Sequence, residues 1–146
     1  MNKHKNNEIL ETSITQDGIF RLVLNNPQNQ NVLSEEMMSN MQLALDESII
    51  TKQVRVIIIS AEGPIFSAGH DLNELTKERQ NSDSGKKYYK KIMEKCSKLM
   101  QTIVNNPKPV IAEINGVATA AGCQLVASCD LAYASNTSKF ATPGVN

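Results

Sequence analysis

Two turns built from small residues carry the chemistry that can be read from this chain. The first is Phe66-Ser67-Ala68-Gly69-His70-Asp71-Leu72; the second is Asn115-Gly116-Val117-Ala118-Thr119-Ala120-Ala121-Gly122-Cys123. Glycine and alanine let bare backbone N–H groups come close to a ligand, because no large substituent stands in the way. Two such turns facing one another supply a pair of donors for a single oxygen. That device stabilises the negative charge of an enolate or a tetrahedral adduct. Taken singly, each turn is equally well explained by tight strand-to-helix packing, which also needs small residues. The pair is the stronger signal. If Ala120 and Ala121 open a helix, its N-terminus adds partial positive charge at the same place.

Each turn must be positioned by the apolar run before it. Residues 54–60 (VRVIIIS) read as a near-continuous strand ahead of the first turn, and Val110–Ile114 as the strand ahead of the second. Such runs suit parallel strands covered on both faces. Asp17-Gly18 splits two β-like runs, 8–15 and Ile19–Leu24, into a hairpin. Ser34 reads as a helix N-cap, with Glu35 and Glu36 well placed against the helix dipole. Met38, Met41, Leu45 and Ile49 then make one apolar face. A second amphipathic helix from Lys86 is expected to turn Tyr89, Ile92, Met93, Cys96, Leu99, Met100 and Ile103 inward, stopping before Pro107-Lys108-Pro109. Residues 73–85, charged and polar, read as a mobile connection. A small-residue helix over 120–127 and short strands at Leu131–Ala134 and Lys139–Ala141 complete the alternation. Strand–helix alternation of this kind predicts an α/β fold with parallel strands. No helix follows the last strands, so an open sheet edge is expected.

The bulk numbers bound the function. Fifteen basic and fifteen acidic residues cancel over 146 residues, so no net field draws nucleic acid or a membrane surface. An apolar content of 40% is ordinary for one soluble globular domain. Cys96, Cys123 and Cys129 are odd in number and lack zinc spacing, and no metal site is expected. The polar start, with no apolar segment typical of a secretion signal, and the unpaired cysteines lead us to expect a cytoplasmic location.

FSAGHDL, NGVATAAGCQLVASCDLAYAS and FATPGVN resemble the enoyl-CoA hydratase/isomerase (crotonase) superfamily, and the resemblance runs over residues 9–146 behind a polar tail at 1–8. It implies the ClpP/crotonase-like spiral of ββα units, acyl-CoA thioester substrates of fatty-acid metabolism, and trimers or pairs of trimers. Coenzyme A would belong to the substrate, with no separate cofactor. By this resemblance the oxyanion donors are the backbone N–H groups of His70 and Ala121. Ala68, Gly69, His70, Asp71 and Leu72 would pass along the adenine end of CoA, with residues 30–33 nearby and Ala121 and Gly122 at the thioester.

The chain departs from that family at two places. Hydratases of the superfamily add water with two glutamates, and the matching positions here hold Gln124 and Gly144. A carboxamide orients water but exchanges no proton near neutral pH, and glycine has no side chain. Losing general acid–base help costs roughly 10²–10⁴-fold. The surviving oxyanion donors are worth about 3–4 kcal/mol each when well placed. Such a site holds an enolate and moves protons poorly, which counts against ordinary hydratase turnover. Three classes therefore stand side by side: a hydratase/isomerase-family enzyme (lyase or isomerase), a non-catalytic acyl-CoA binder, and a non-functional remnant. Relatives of this kind continue well past FATPGVN, and the continuation is expected to supply the rest of the spiral and of the CoA pocket.

Several residues have plainer readings. The His70 side chain is expected to point away from the thioester or to stabilise local structure, although it could substitute for the lost acid or base. Asp71 is expected to accept backbone N–H bonds in its own turn, and Asp130 to cap a strand start. Glu113, on a strand, could face either way. Cys123 reads as packing and not as a nucleophile. Lys86, Lys87, Lys90, Lys91 and Lys95 read as a solvated helix face, with contact to CoA phosphates as the weaker alternative. No nucleophile-elbow sequence supports a serine hydrolase.

Overall fold

The computed structural model describes residues 9–143 together with a two-residue strand, β1 (Lys5–Asn6). The predicted hairpin forms as β2 (Leu10–Ile14) and β3 (Ile19–Leu24), paired antiparallel from Leu10↔Leu24 to Ile14↔Phe20. Gly18 takes φ +84° at the bend, where an added Cβ would stand 2.4 Å from the Gln53 carbonyl oxygen. Ser34 caps α1 (Glu35–Ile50) as expected, its hydroxyl accepting from Met37 N. The other end of α1 is held by Lys108, whose Nζ donates to the carbonyls of Ser48 and Thr51 (2.7 Å for the latter). A cation there suits the negative end of the helix dipole.

β4 (Val56–Ala61), β6 (Val110–Ile114) and β8 (Leu131–Ala134) add to β3 in parallel, giving the sheet order β1-β2-β3-β4-β6-β8. A second, all-parallel sheet of three short strands runs β5 (Ile65–Ser67), β7 (Val117–Thr119) and β9 (Lys139–Ala141). The first strand of each successive pair enters the large sheet and the second enters the small one. Helices α2 (Leu72–Glu78), α3 (Lys86–Val104) and α4 (Ala121–Ser128) then carry the chain to the next pair. This is the expected winding of ββα units. β5 and β7 are the addition to the sequence reading, which ran each apolar strand straight into its turn.

The core lies between one face of the large sheet and the two long helices. Leu22, Leu24, Ile57, Ile59 and Val110 bury against Met37, Met38, Met41 and Leu45 of α1 and Ile92, Cys96, Leu99 and Ile103 of α3. Alternation along β4 is clear, with Ile57 and Ile59 buried and Val56 and Ile58 only half-buried. The expectation of a strand covered on both faces therefore holds for one face only. On the other, Arg21 reaches Glu113 at 3.4 Å, which settles the direction of Glu113.

Three further expectations are corrected. Met93 is 46% exposed, because it lies off the stripe set by Ile92, Cys96, Leu99 and Ile103. Ile49 is 37% exposed near the end of α1. Residues 73–85, expected to be a mobile connection, hold all but the first residue of α2 (Leu72–Glu78), made possible by an N-cap on Asp71. Among the described residues, β8 is the last strand of the large sheet and β9 of the small one, and Leu131, Tyr133 and Phe140 are exposed along them.

Candidate functional site

The parallel pairing of β5 with β7 is what brings the two turns together. Register Ile65↔Val117 and Ser67↔Ala118 sets the ends of these strands side by side, so each emerges into its turn at the same level. The contact between the turns is tight enough to demand small residues. A Cβ built on Gly69 (φ +91°) would lie 3.0 Å from Ala121 N and 3.0 Å from Ala120 Cβ. One built on Gly122 would lie 2.3 Å from the Ser67 carbonyl oxygen. Bond lengths then keep the amide nitrogens of His70 and Ala121 within about 7 Å of each other.

Ala120 is the strained residue of the site. It takes φ 52°, ψ −123°, a region that L side chains avoid and that costs on the order of 1–3 kcal/mol. The surroundings enforce it: Ala120 N donates to Ala141 O at 2.9 Å, while Ala121 and Gly122 are pressed against the first turn. The result is that α4 begins at Ala121 with no side chain capping it. Its first N–H groups have no acceptor within the helix.

A loop laces the first turn from the other side. Gln30 (φ 54°) and Asn31 (φ 48°) are both left-handed. Buried Asn31 donates Nδ2 to the Glu62 and Ile65 carbonyls, each at 2.8 Å, and accepts from Asn26 N at 2.7 Å. Ala68 N donates to Gln30 O, and Leu33 N donates to Gly69 O at 2.7 Å. Residues 30–33 thus run alongside Ala68, Gly69 and His70 (Leu33 bridges to His70). Among the described residues, His70 N makes no hydrogen bond to a backbone carbonyl. Burial pulls the His70 imidazole below its ordinary pKa, against an opposing contribution from the Leu33 carbonyl.

The remaining candidates fall into place around this contact. Asp71 accepts from Asn73 N (2.8 Å) and Glu74 N (3.3 Å) and also takes Asn29 Nδ2, so it is a helix cap. Leu72 is 72% exposed at the start of α2. Gln124, on α4, is exposed, and its Oε1 accepts from the Cys96 thiol at 4.0 Å. Gly144 lies outside the described residues. Asp130 accepts from Val110 N at 2.8 Å and so caps the start of the neighbouring strand. Cys123 donates to the Ala118 carbonyl at 3.2 Å. Burial raises the Cys96 thiol, and burial with the nearby Asp130 carboxylate pushes Cys129 up to about 12.

The lysine run is not wholly a solvated face. Lys91 (2.6 Å) and Lys95 (3.2 Å) both pair with Glu35, and Lys95 also donates to Ser39 Oγ. Glu74 completes the junction, accepting from Glu35 N and from the Tyr88 hydroxyl. An open cleft beside α3, lined by Glu78, Asp83, Lys87, Tyr88, Lys90 and Lys91 among others, shares no residue with the two turns. Among the described residues no group of three His, Cys, Asp or Glu could hold a metal, and no helix is long and apolar enough to cross a membrane.

Two turns of this geometry at the ends of paired parallel strands invite comparison with known proteins. The family model for enoyl-CoA hydratase/isomerase matches residues 14–146. The chain belongs to that family. Human mitochondrial enoyl-CoA hydratase domain-containing protein 3 is 53% identical over 89% of this chain and 41% of its own length. The Xenopus laevis protein of the same name is 54% identical over 88% of this chain and 42% of its own. The crystal structure of the human protein superposes with a TM-score of 0.82 at 47% identity, covering 99% of this chain and 52% of that one. The chain thus spans less than half the length of these curated relatives. The family suggested by the motifs is borne out, as is the crotonase-type fold.

One expectation is overturned here. Both relatives are named as mitochondrial, against the cytoplasmic location inferred from composition. Free thiols report a redox state, and a redox state does not single out an organelle.

Proposed function

We propose that this chain binds an acyl-CoA thioester, with the carbonyl oxygen held between the backbone N–H groups of His70 and Ala121. The observation that carries the reading is the contact of Gly69 with Ala121, 3.0 Å from the Gly69 Cβ position to Ala121 N. It sets two amide-bearing turns against each other in a family that acts on CoA thioesters. The strained Ala120 supports the same reading, since strain of this size is held where it serves a site. Ala68, Gly69, Asp71, Leu72 and Gly122 line the ligand's path through backbone and small side chains, and no separate cofactor is required.

Two donors aimed at one oxygen stabilise an enolate, which is the step that hydratases and isomerases of CoA esters share. Gln124 has no proton to exchange near neutral pH, and Gly144 carries no side chain to help. We therefore assign enolate stabilisation to the site and expect water addition to be slow. A second reading, acyl-CoA binding without turnover, is favoured by the carboxamide at 124. The relatives' names carry the word mitochondrial, which supports a mitochondrial location, and fatty-acyl-CoA metabolism is the proposed setting. A trimer or hexamer is the proposed assembly.

The readings separate by experiment. Hydration of crotonyl-CoA above the uncatalysed rate supports an enzyme. A rise in melting temperature with butyryl-CoA and no turnover supports a binder. Failure of butyryl-CoA to change a cooperative melt sinks both.

A further inference from the structure

Helix α2 begins two residues after His70, and apolar burial does little to hold it. None of its side chains is fully buried; of its two leucines, Leu72 is exposed and Leu75 packs only partly against the core. A helix of seven residues is not stable by itself, so its place is set by what it bonds to. Residues 29–35 run beside residues 68–74 as a ladder of three bonds. Ala68 N donates to Gln30 O at 3.1 Å, Leu33 N to Gly69 O at 2.7 Å, and Glu35 N to Glu74 Oε2 at 3.0 Å. His70, bridged to Leu33, lies between the second and third of these.

The third bond differs from the others because its acceptor is a side chain. Glu35 N is the first N–H of α1 and has no partner within its own helix. The same Oε2 also accepts the Tyr88 hydroxyl of α3 at 3.3 Å. Burial first, and then the Glu74 charge, raises the Tyr88 phenol, so it remains a donor. One carboxylate oxygen thus ties α2 to both long helices of the core.

We infer that Glu74 is a positioning residue for the first turn: through Oε2 it locks α2 against α1 and α3 and so fixes the direction of the His70 amide. The inference rests on the acyl-CoA reading above and adds a group outside the two turns that sets their geometry. Both donors meet a single oxygen, so the lock needs an acceptor and not a charge. A carboxamide in the same place can supply it.

The test compares Glu74→Ala with Glu74→Gln in the full chain, by calorimetric titration with butyryl-CoA and by the His70 amide resonance of the ligand-free chain. Glu74→Ala is expected to bind about tenfold more weakly and to move that resonance, with Glu74→Gln within about twofold of the parent and the resonance restored. Lys108→Ala, which frees the far end of α1, is the control for a general loss of stability. It should lower the urea midpoint and leave affinity within about twofold. Unchanged affinity in Glu74→Ala, or weaker binding with the His70 resonance unmoved, overturns the inference and leaves the acyl-CoA reading standing. Glu74→Gln as weak as Glu74→Ala overturns it in favour of a charge effect, and an equal loss in Lys108→Ala overturns it in favour of general loosening. No binding by the unmodified chain overturns both. Should Glu74→Ala fail to melt cooperatively, Tyr88→Phe removes one of the two bonds and keeps the ring. A loss of about threefold supports the lock, and unchanged affinity overturns it.

Discussion

Gly69 and Ala121 touch across the space that a side chain on Gly69 would occupy, with only 3.0 Å from that Cβ position to the Ala121 nitrogen. The proposed oxygen site lies where this contact leaves the amides open. Gly69→Ala should therefore act twice. It forces alanine to φ +91° and fills space against Thr119 O, 3.1 Å away, for a loss of about 1–3 kcal/mol. It also pushes the turns apart, weakening butyryl-CoA binding by at least tenfold at about 2 kcal/mol of lost donor geometry. Urea unfolding and calorimetric titration of the same sample check the two effects.

Gly122→Ala tests packing more sharply. Its Cβ would meet the Ser67 carbonyl oxygen at 2.3 Å and Ser67 Cβ at 2.9 Å, backbone and near-backbone atoms that cannot swing away. Overpacking of this kind costs about 1–3 kcal/mol or more. A lower urea midpoint at an unchanged slope is the expected result, and an unaltered midpoint would show that the turns are less closely apposed.

Gln124→Glu restores a group able to exchange protons at one of the two vacant positions. If the oxyanion site is intact, crotonyl-CoA hydration should rise at least about tenfold over the parent chain, within the range assigned to one acid–base partner. Butyryl-CoA affinity should change little. No rise in rate, with binding preserved, would place Gln124 away from the reacting carbons.

Glu35 makes stability depend on pH. Hydrogen bonding to Lys91, then Lys95, holds its carboxyl below the ordinary value in the folded chain, against a desolvation penalty. A depressed folded pKa means the ionised form is favoured by folding. Its contribution is present above the unfolded pKa, near 4.3, and is lost as pH falls through the folded value. Glu35→Gln should thus lower stability by about 0.5–1 kcal/mol at pH 7 and leave it nearly unchanged at pH 3. Denaturant unfolding at both values decides it. An equal loss at both would mean that shape, and not charge, joins α1 to α3.

Much of this protein could be read before any coordinates. Val110–Ile114, Leu131–Ala134 and Lys139–Ala141 form strands at the expected residues, the first two as apolar runs that start directly after Pro109 and Asp130. Ser34 and Asp71 accept the backbone bonds their types suit, and the paired small-residue motifs identify the family. These are local properties, set by side-chain chemistry and by neighbours a few positions away. The tertiary structure decided what depends on distant atoms. Three-residue strands such as Ile65–Ser67 and Val117–Thr119 have no periodicity to detect and exist because they pair with each other. Ala120 sits at positive φ against its own preference because Ser67, Gly69 and Ala141 leave its segment no other path. Met93 and Ile58 look like core residues by type and meet solvent or a thin layer because the stripe and the sheet face are fixed elsewhere. The nearness of Gly69 to Ala121 belongs to this second class: composition permits it, and only the packing of two strands from separate parts of the chain brings it about.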